Sequence, residues 1–187
     1  EGIVLDVRTP EEFHSGHIKD ATNIDFYADD FIDKLKIVRK DVPIYTYCRS
    51  GGRSSAATSK MEKLGFSEVY NLVGGIGAWN SANYTTIKSK KRKRLSQPTF
   101  TISEIDNILK TNEIVLIDFS TQWCVPCKKM KPVIHEIQKE NPNIKVLFID
   151  AEANKELIKK HQIKGVPIFI VFKSSEEVFR HLGIISK

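Results

Sequence analysis

Along this chain, short apolar runs alternate with stretches in which apolar residues recur every three or four positions. "GIVLDVR" reads as a buried strand, and "TPEEF" opens a helix. Thr9 suits the N-cap, Pro10 the first helical position, and Glu12 the reciprocal partner of a capping box. "DDFIDKLKIV" has the spacing of an amphipathic helix, "VPIYTY" reads as a strand, and residues 53–64 form a helix that Gly65 can end. "SEVYNLV" is a further short strand, followed by "GGIGAW". Strands alternating with helices predict a parallel α/β architecture.

The pattern stops at "KSKKRKRLSQP", residues 88–98, and then resumes. "TISEIDNILK" predicts a helix with a second capping box, from Thr101 or Ser103 toward Glu104 or Asp106. "EIVLIDFS" is a strand, "VPCKKMKPVIHEIQKE" a helix with Pro132 inside it, and "NIKVLFID" a strand. "NKELIKKHQ" is a helix, and "PIFIVFK" and "EVFRHLG" pair as a hairpin. The two halves share no repeat. They read as domains at 1–87 and 99–187 joined by a linker at 88–98, which suits the size of a 187-residue chain.

Charge sharpens that division. The formal net charge is +6, yet residues 1–87 carry 10 basic and 12 acidic side chains, and residues 95–187 carry 13 and 11. The other six basic residues all lie in "KSKKRKR". A block of like charges without interleaved aromatics repels itself and stays solvated, so we read a linker. The rival is a nuclear-localisation or nucleic-acid patch, which would need a companion basic face. No nucleic-acid partner is expected. No apolar run of about 20 residues occurs, so no membrane span is expected either, and no signal peptide is visible in the sequence.

Three cysteines are too few for a disulfide framework in a chain of this length. Cys48 stands where a strand ends and a helix is about to begin, in "YCRSGGRSS". Ligands bind at this carboxyl edge of α/β sheets. Gly51 and Gly52 let the amides of the loop, Ser50 included, turn toward a common centre. The following helix N-terminus reinforces that anion nest. Such a nest lowers a thiol's pKa, and Arg49 and Arg53 add positive charge for an anionic substrate. The competing reading is a buried cysteine acting as a small hydrophobe.

Cys124 and Cys127 in "WCVPC" follow a strand and open a helix, whose N-terminus favours the thiolate of Cys124, the exposed attacking sulfur. Cys127, one turn on, can attack a mixed disulfide and release the product. Zinc would need four ligands. Cys48 is far upstream and His135 lies on the helix beyond, so no second ligand pair is present and neither metal nor cofactor is expected. His135, His161 and His181 fall in amphipathic or surface patterns and are assigned no chemistry.

"LDVRTPEEFHSGHIKDATNID", "YCRSGGRS" and "LVGGIGAW" together resemble the rhodanese family over nearly all of residues 1–87. The resemblance implies that Cys48 takes a sulfane sulfur from a small donor, thiosulfate or a persulfide. It then holds the sulfur as a persulfide among the loop amides and passes it to a nucleophile. It implies structural roles for Asp6, Arg8 and His17. Related phosphatases use a Cys-x5-Arg loop. Here Cys48 to Arg53 is Cys-x4-Arg, one residue shorter, which favours sulfur over phosphate. Asp20 stands where the family usually has glycine, and the strand and helix that usually precede "LDVR" in the family are absent from this sequence, which leaves part of the expected sheet unaccounted for.

"VLIDFSTQWCVPCKKMKPVI", "FIDAEAN" and "GVPIFIVF" resemble thioredoxin across residues 100–183, a mixed sheet flanked by helices. This implies that Trp123 shields the nucleophile, that Asp118 is the buried carboxylate assisting proton transfer to Cys127, and that Pro167 is a cis-proline facing the pair. Val125 replaces the usual glycine, and the Val125–Pro126 dipeptide tunes the reduction potential. Val146 stands where many thioredoxins carry a lysine near the buried aspartate, and the usual C-terminal helix after Gly183 is expected but not present.

The residues admit two functional readings. In the first, Cys48 accepts sulfur and Cys124 and Cys127 reduce it to sulfide, with a thiol or disulfide protein partner and an external reductant. In the second, the halves are independent modules, a disulfide reductase and a separate sulfurtransferase or partner-binding unit. Reactive thiols suit a reducing cytosol, with the bacterial periplasm as the alternative.

Overall fold

The computed structural model describes residues 2–89 and 98–185. The chain divides into two compact units, Glu1–Lys93 and Arg94–Lys187. Most of the "KSKKRKRLSQP" segment lies outside the described residues.

In the first unit, β1 (Ile3–Asp6), β2 (Thr22–Asn23), β3 (Ile44–Tyr47) and β4 (Val69–Asn71) form a sheet of order β2-β1-β3-β4. All three pairings are parallel, as the strand–helix alternation predicted. Its helices are α1 (Pro10–Ser15), α2 (Phe31–Lys36), α3 (Gly52–Lys63) and α4 (Gly75–Ser81). The α1 capping box forms as expected: Thr9 accepts from the Glu12 amide, and the Glu12 carboxylate accepts from the Thr9 amide. "DDFIDKLKIV" forms a shorter helix than its periodicity suggested, and Asp30 makes no side-chain cap. "GGIGAW" is the start of α4, entered through Gly74 and Gly75, both at positive φ.

Buried Asp6 and Arg8 tie the turn after β1. The Arg8 guanidinium donates to Asp6 at 2.6 Å and to the Gly16 carbonyl at 2.8 Å. His17 Nδ1 donates to the Phe13 carbonyl while its ring stacks on Phe13 at 3.7 Å. Ala21, Tyr47 and Ile76 form a core cluster with Phe13, Ile18, Leu72 and Trp79 packed against it. This cluster binds α1 and α4 to the sheet beside the end of β3.

The second unit contains α5 (Ile102–Thr111), β5 (Ile114–Ser120), α6 (Val125–Glu140), β6 (Ile144–Asp150), α7 (Lys155–Lys160), β7 (Ile168–Lys173) and β8 (Glu176–Leu182). Its sheet has the order β6-β5-β7-β8, with β5 and β6 parallel and β7 antiparallel to both β5 and β8. Central β5 is almost wholly buried, which is why it reads as a continuous apolar run and not an alternation. Leu116, Met130, Ile134, Val146 and Phe169 form a core that seats α6 on the sheet. The second capping box resolves to Thr101 with Glu104.

Candidate active sites

Cys48 follows the last residue of β3 and is 1% exposed. Its Sγ accepts the Gly51 amide at 3.1 Å and the Ser54 hydroxyl at 3.4 Å. Gly51 sits at φ 107, a left-handed conformation that glycine adopts freely and that turns its amide back onto the sulfur. From below, the α4 entry grips the loop: the Ile76 amide donates to the Cys48 carbonyl at 2.9 Å and the Gly77 amide to the Arg49 carbonyl at 3.0 Å.

Burial alone would raise the Cys48 pKa. The Ser54 hydroxyl and the amides of Ser54, Ser50 and Gly51 outweigh it and bring the thiol down to about 7. The site therefore stabilises a thiolate chiefly with hydrogen bonds, and the charge of Arg53 adds a smaller attraction. Ser54→Ala should move the midpoint of Cys48 alkylation upward from about 7 toward the ordinary thiol value. The rate of iodoacetamide reaction against pH, with Cys124 and Cys127 held as the disulfide, measures this directly; an unmoved midpoint would refute the role of the hydroxyl.

The two arginines are placed differently. Arg49 is exposed with Ser50 and Gly52. Arg53 is half-buried and committed: its Nη1 and Nη2 donate to the two carboxylate oxygens of Glu12 at 2.7 and 2.8 Å. Its guanidinium also lies 5.5 Å from the Tyr27 ring centroid. Hydrogen bonding to Arg53 is the main cause holding the Glu12 carboxyl down at about 2. Glu12 was legible only as a helix cap. Ser54 was not among the expected site residues, though its place in the first turn after the cysteine loop was the signal.

In the second unit Cys124 is the N-cap of α6, and its Sγ accepts the Cys127 amide at 3.1 Å. Cys124 and Cys127 are joined as a disulfide. The expected exposed attacking sulfur is not seen: Cys124 is 3% and Cys127 4% exposed. Capping the helix and bonding to Cys127 both turn the Cys124 sulfur inward. Pro126 lies in the first turn of α6, where a missing amide costs nothing.

Asp118 on β5 is 2% exposed, and its Oδ1 has no hydrogen-bond partner among the described residues. The same holds for Trp123 Nε1 and Thr121 Oγ1, so orphaned polar atoms gather on the segment leading into Cys124. Burial raises the Asp118 carboxyl to about 7, and Lys131 of α6 pulls the other way. That lysine supplies the positive charge that Val146 cannot. The Val166–Pro167 peptide is cis. Phe119 pairs with Ile168, so the register carries Pro167 to the sheet end from which the Cys124 segment leaves.

A buried acid with a raised pKa takes up a proton on folding. Stability of the oxidised unit should therefore fall as pH rises from about 4 to about 7, and level off above. Asp118→Asn should abolish that slope and stabilise the unit above pH 7 by a few kcal/mol, on the order expected for an unpaired buried charge. Denaturant unfolding of the oxidised chain across pH checks it. A slope unchanged in the variant would contradict the assignment.

An amide-cradled thiol at a parallel-strand end and a dithiol pair at a helix N-terminus define a protein of sulfur and thiol chemistry. A family model described as a rhodanese-like domain matches residues 1–82, and one described as thioredoxin matches residues 97–187. Thioredoxin of Buchnera aphidicola subsp. Baizongia pistaciae is 37% identical over 81 residues, covering 43% of this chain and 74% of that protein. A bifunctional thioredoxin reductase/thioredoxin of Mycobacterium leprae is 35% identical over 82 residues, covering 43% of this chain and 18% of that protein. A solved structure of a rhodanese-related protein from Thermoplasma volcanium is 32% identical. It covers 47% of this chain and 85% of that one, with a TM-score of 0.44. The chain is a rhodanese-like domain fused to a thioredoxin domain, and it belongs to the thioredoxin family. Sulfur transfer and thiol–disulfide exchange are the broad activities these two domains carry.

No helix among the described residues is long and apolar enough to cross a membrane. No group of three or more His, Cys, Asp or Glu side chains that could hold a metal ion occurs among them either.

Proposed function

We propose that the two domains, at 1–87 and 99–187, act in sequence on one sulfur atom. The Cys48 thiolate attacks the sulfane sulfur of a small donor, forming a Cys48 persulfide and releasing the rest of the donor as sulfite or a thiolate. The Cys124 thiolate then attacks the outer sulfur and frees Cys48. Cys127 attacks Cys124 Sγ, expels the sulfur as hydrosulfide and closes the 124–127 disulfide. The dithiol supplies the two electrons, and an external reductant restores it. The relative from Mycobacterium leprae carries a thioredoxin and its reductase in one chain, which supports a reductase of that type as partner. In this reading Arg49, Ser50, Gly51, Gly52 and Arg53 form the anion loop. Trp123, Pro126, Asp118 and Pro167 support the redox pair.

One observation carries the reading: a buried thiol brought down to about 7 by hydroxyl and amide donors, which would hold a persulfide anion equally well. The eleven residues 88–98 reach at most roughly 36–40 Å when extended. Tethering over such lengths raises the effective concentration of one site at the other to the mM range. The test is to load Cys48 from thiosulfate in the reduced protein, remove the donor and follow sulfide. Sulfide should appear with a first-order rate independent of protein concentration, together with the 124–127 disulfide by mass spectrometry, and should be lost in Cys124→Ser. Release unchanged in Cys124→Ser, or rising linearly with protein concentration, would mean that the relay within one chain is wrong.

A further inference from the structure

The Glu12–Arg53 pair bears on which donor the Cys48 loop accepts, a question that rests on the sulfur transfer proposed for that thiol. Arg53 is the arginine that closes the loop, yet both its terminal nitrogens are spent on one carboxylate of α1. The pair is partly sheltered, with side chains 16% and 31% exposed, so it is neither fully screened nor easily separated. Tyr27 covers another side of the guanidinium. Glu12 is itself held in place by the α1 cap, since its Oε2 accepts the Thr9 amide at 3.1 Å. Helix α1 thus presents a fixed counter-charge to the loop.

We infer that Glu12 is a specificity-determining residue: by neutralising Arg53 it tunes the Cys48 loop toward persulfide donors and away from thiosulfate. Thiosulfate is a dianion, and its sulfane sulfur must be brought against a thiolate. That approach needs positive charge beyond the amides. With Arg53 matched by Glu12, the loop residue left to offer a cation is the exposed Arg49. A low-molecular-weight persulfide reacts through its neutral R–S–SH form. The Cys48 thiolate attacks the terminal sulfur, a new sulfur–sulfur bond forms, the old one breaks, and its electron pair leaves on the donor thiolate. No oxidant or further reductant enters. This step places no added negative charge in the loop, so the amides and Ser54 suffice.

The experiment compares glutathione persulfide with thiosulfate as donor to the full-length protein. Cyanide serves as acceptor, and the variants are Glu12→Gln and the double variant Glu12→Gln/Arg53→Gln. Glutamine serves at the third position of a capping box as glutamate does, so α1 keeps its cap and the change is one of charge. The wild type should favour the persulfide in kcat/KM. Glu12→Gln should lower the KM for thiosulfate roughly tenfold, the effect of one partly screened charge at this range. Its kcat, and its kcat/KM for the persulfide, should stay within about twofold. The double variant should lose the gain, which a purely structural role for Glu12 would not produce. A wild type that prefers thiosulfate, or a Glu12→Gln change equal for both donors, overturns the inference while leaving sulfur transfer at Cys48 intact. Absence of a Cys48 persulfide with either donor overturns the sulfur-transfer reading and this inference together.

Discussion

Cys48→Ala is expected to reduce sulfur transfer from thiosulfate or a persulfide to cyanide to the uncatalysed rate. That is a loss on the order of a thousandfold or more, as for removal of a nucleophile on which a covalent step depends. The loop donors converge on the sulfur, and alanine leaves the Gly51 amide without that acceptor and the Ser54 hydroxyl with only the Gly51 carbonyl. The same variant should reduce a disulfide substrate at the wild-type rate, because Cys124 and Cys127 belong to the other unit. The first assay reads thiocyanate formation and the second insulin reduction with dithiothreitol. Thiocyanate formed by the variant at the wild-type rate would remove Cys48 from the mechanism.

Gly75→Ala is expected to have the largest effect on stability, a loss of roughly 2–4 kcal/mol in the first unit. Gly75 lies at φ 56, where a β-carbon is strained. The added carbon would also collide with the Cys48 carbonyl oxygen and with the Arg49 carbonyl at 2.8 Å. Those are backbone atoms at the base of the loop and cannot rotate away. Relief must come from moving either α4 or the Cys48 loop, so sulfur transfer should fall with stability. Unfolding of the first unit in denaturant, followed by circular dichroism, gives the midpoint. A midpoint within experimental error of the wild type would show that the α4 entry yields freely.

These two sites differ in how plainly they stood in the sequence. Cys48 announced itself through its loop, because glycines and arginines beside a cysteine at a strand end have a local meaning. Gly75 stood in "GGIGAW" as one glycine among its neighbours. Its constraint comes from Cys48, 27 positions earlier, and only the parallel β3–β4 pairing brings the two together. The capping box at Thr9, the presence though not the register of the second one, the span of α6 and the β7–β8 hairpin were readable for the same reason as the loop: their signals lie within a few residues of one another. The two-residue β2 was not, since its strand character derives from pairing with β1 rather than from its own residues.

By itself, then, the sequence determined the alternation of strands and helices, the division of thiols into one lone and one paired, and the length of the Cys48 loop. All are encoded in neighbouring residues through backbone preference and hydrophobic spacing. Tertiary structure decided the electrostatics. It turned Glu12 from a helix cap into the partner of Arg53, set the Ser54 hydroxyl on the Cys48 sulfur, and brought Lys131 to bear on Asp118 where Val146 could not. Charge, hydrogen bonding and burial act through space, so the state of each thiol and carboxyl depends on residues that only folding makes neighbours.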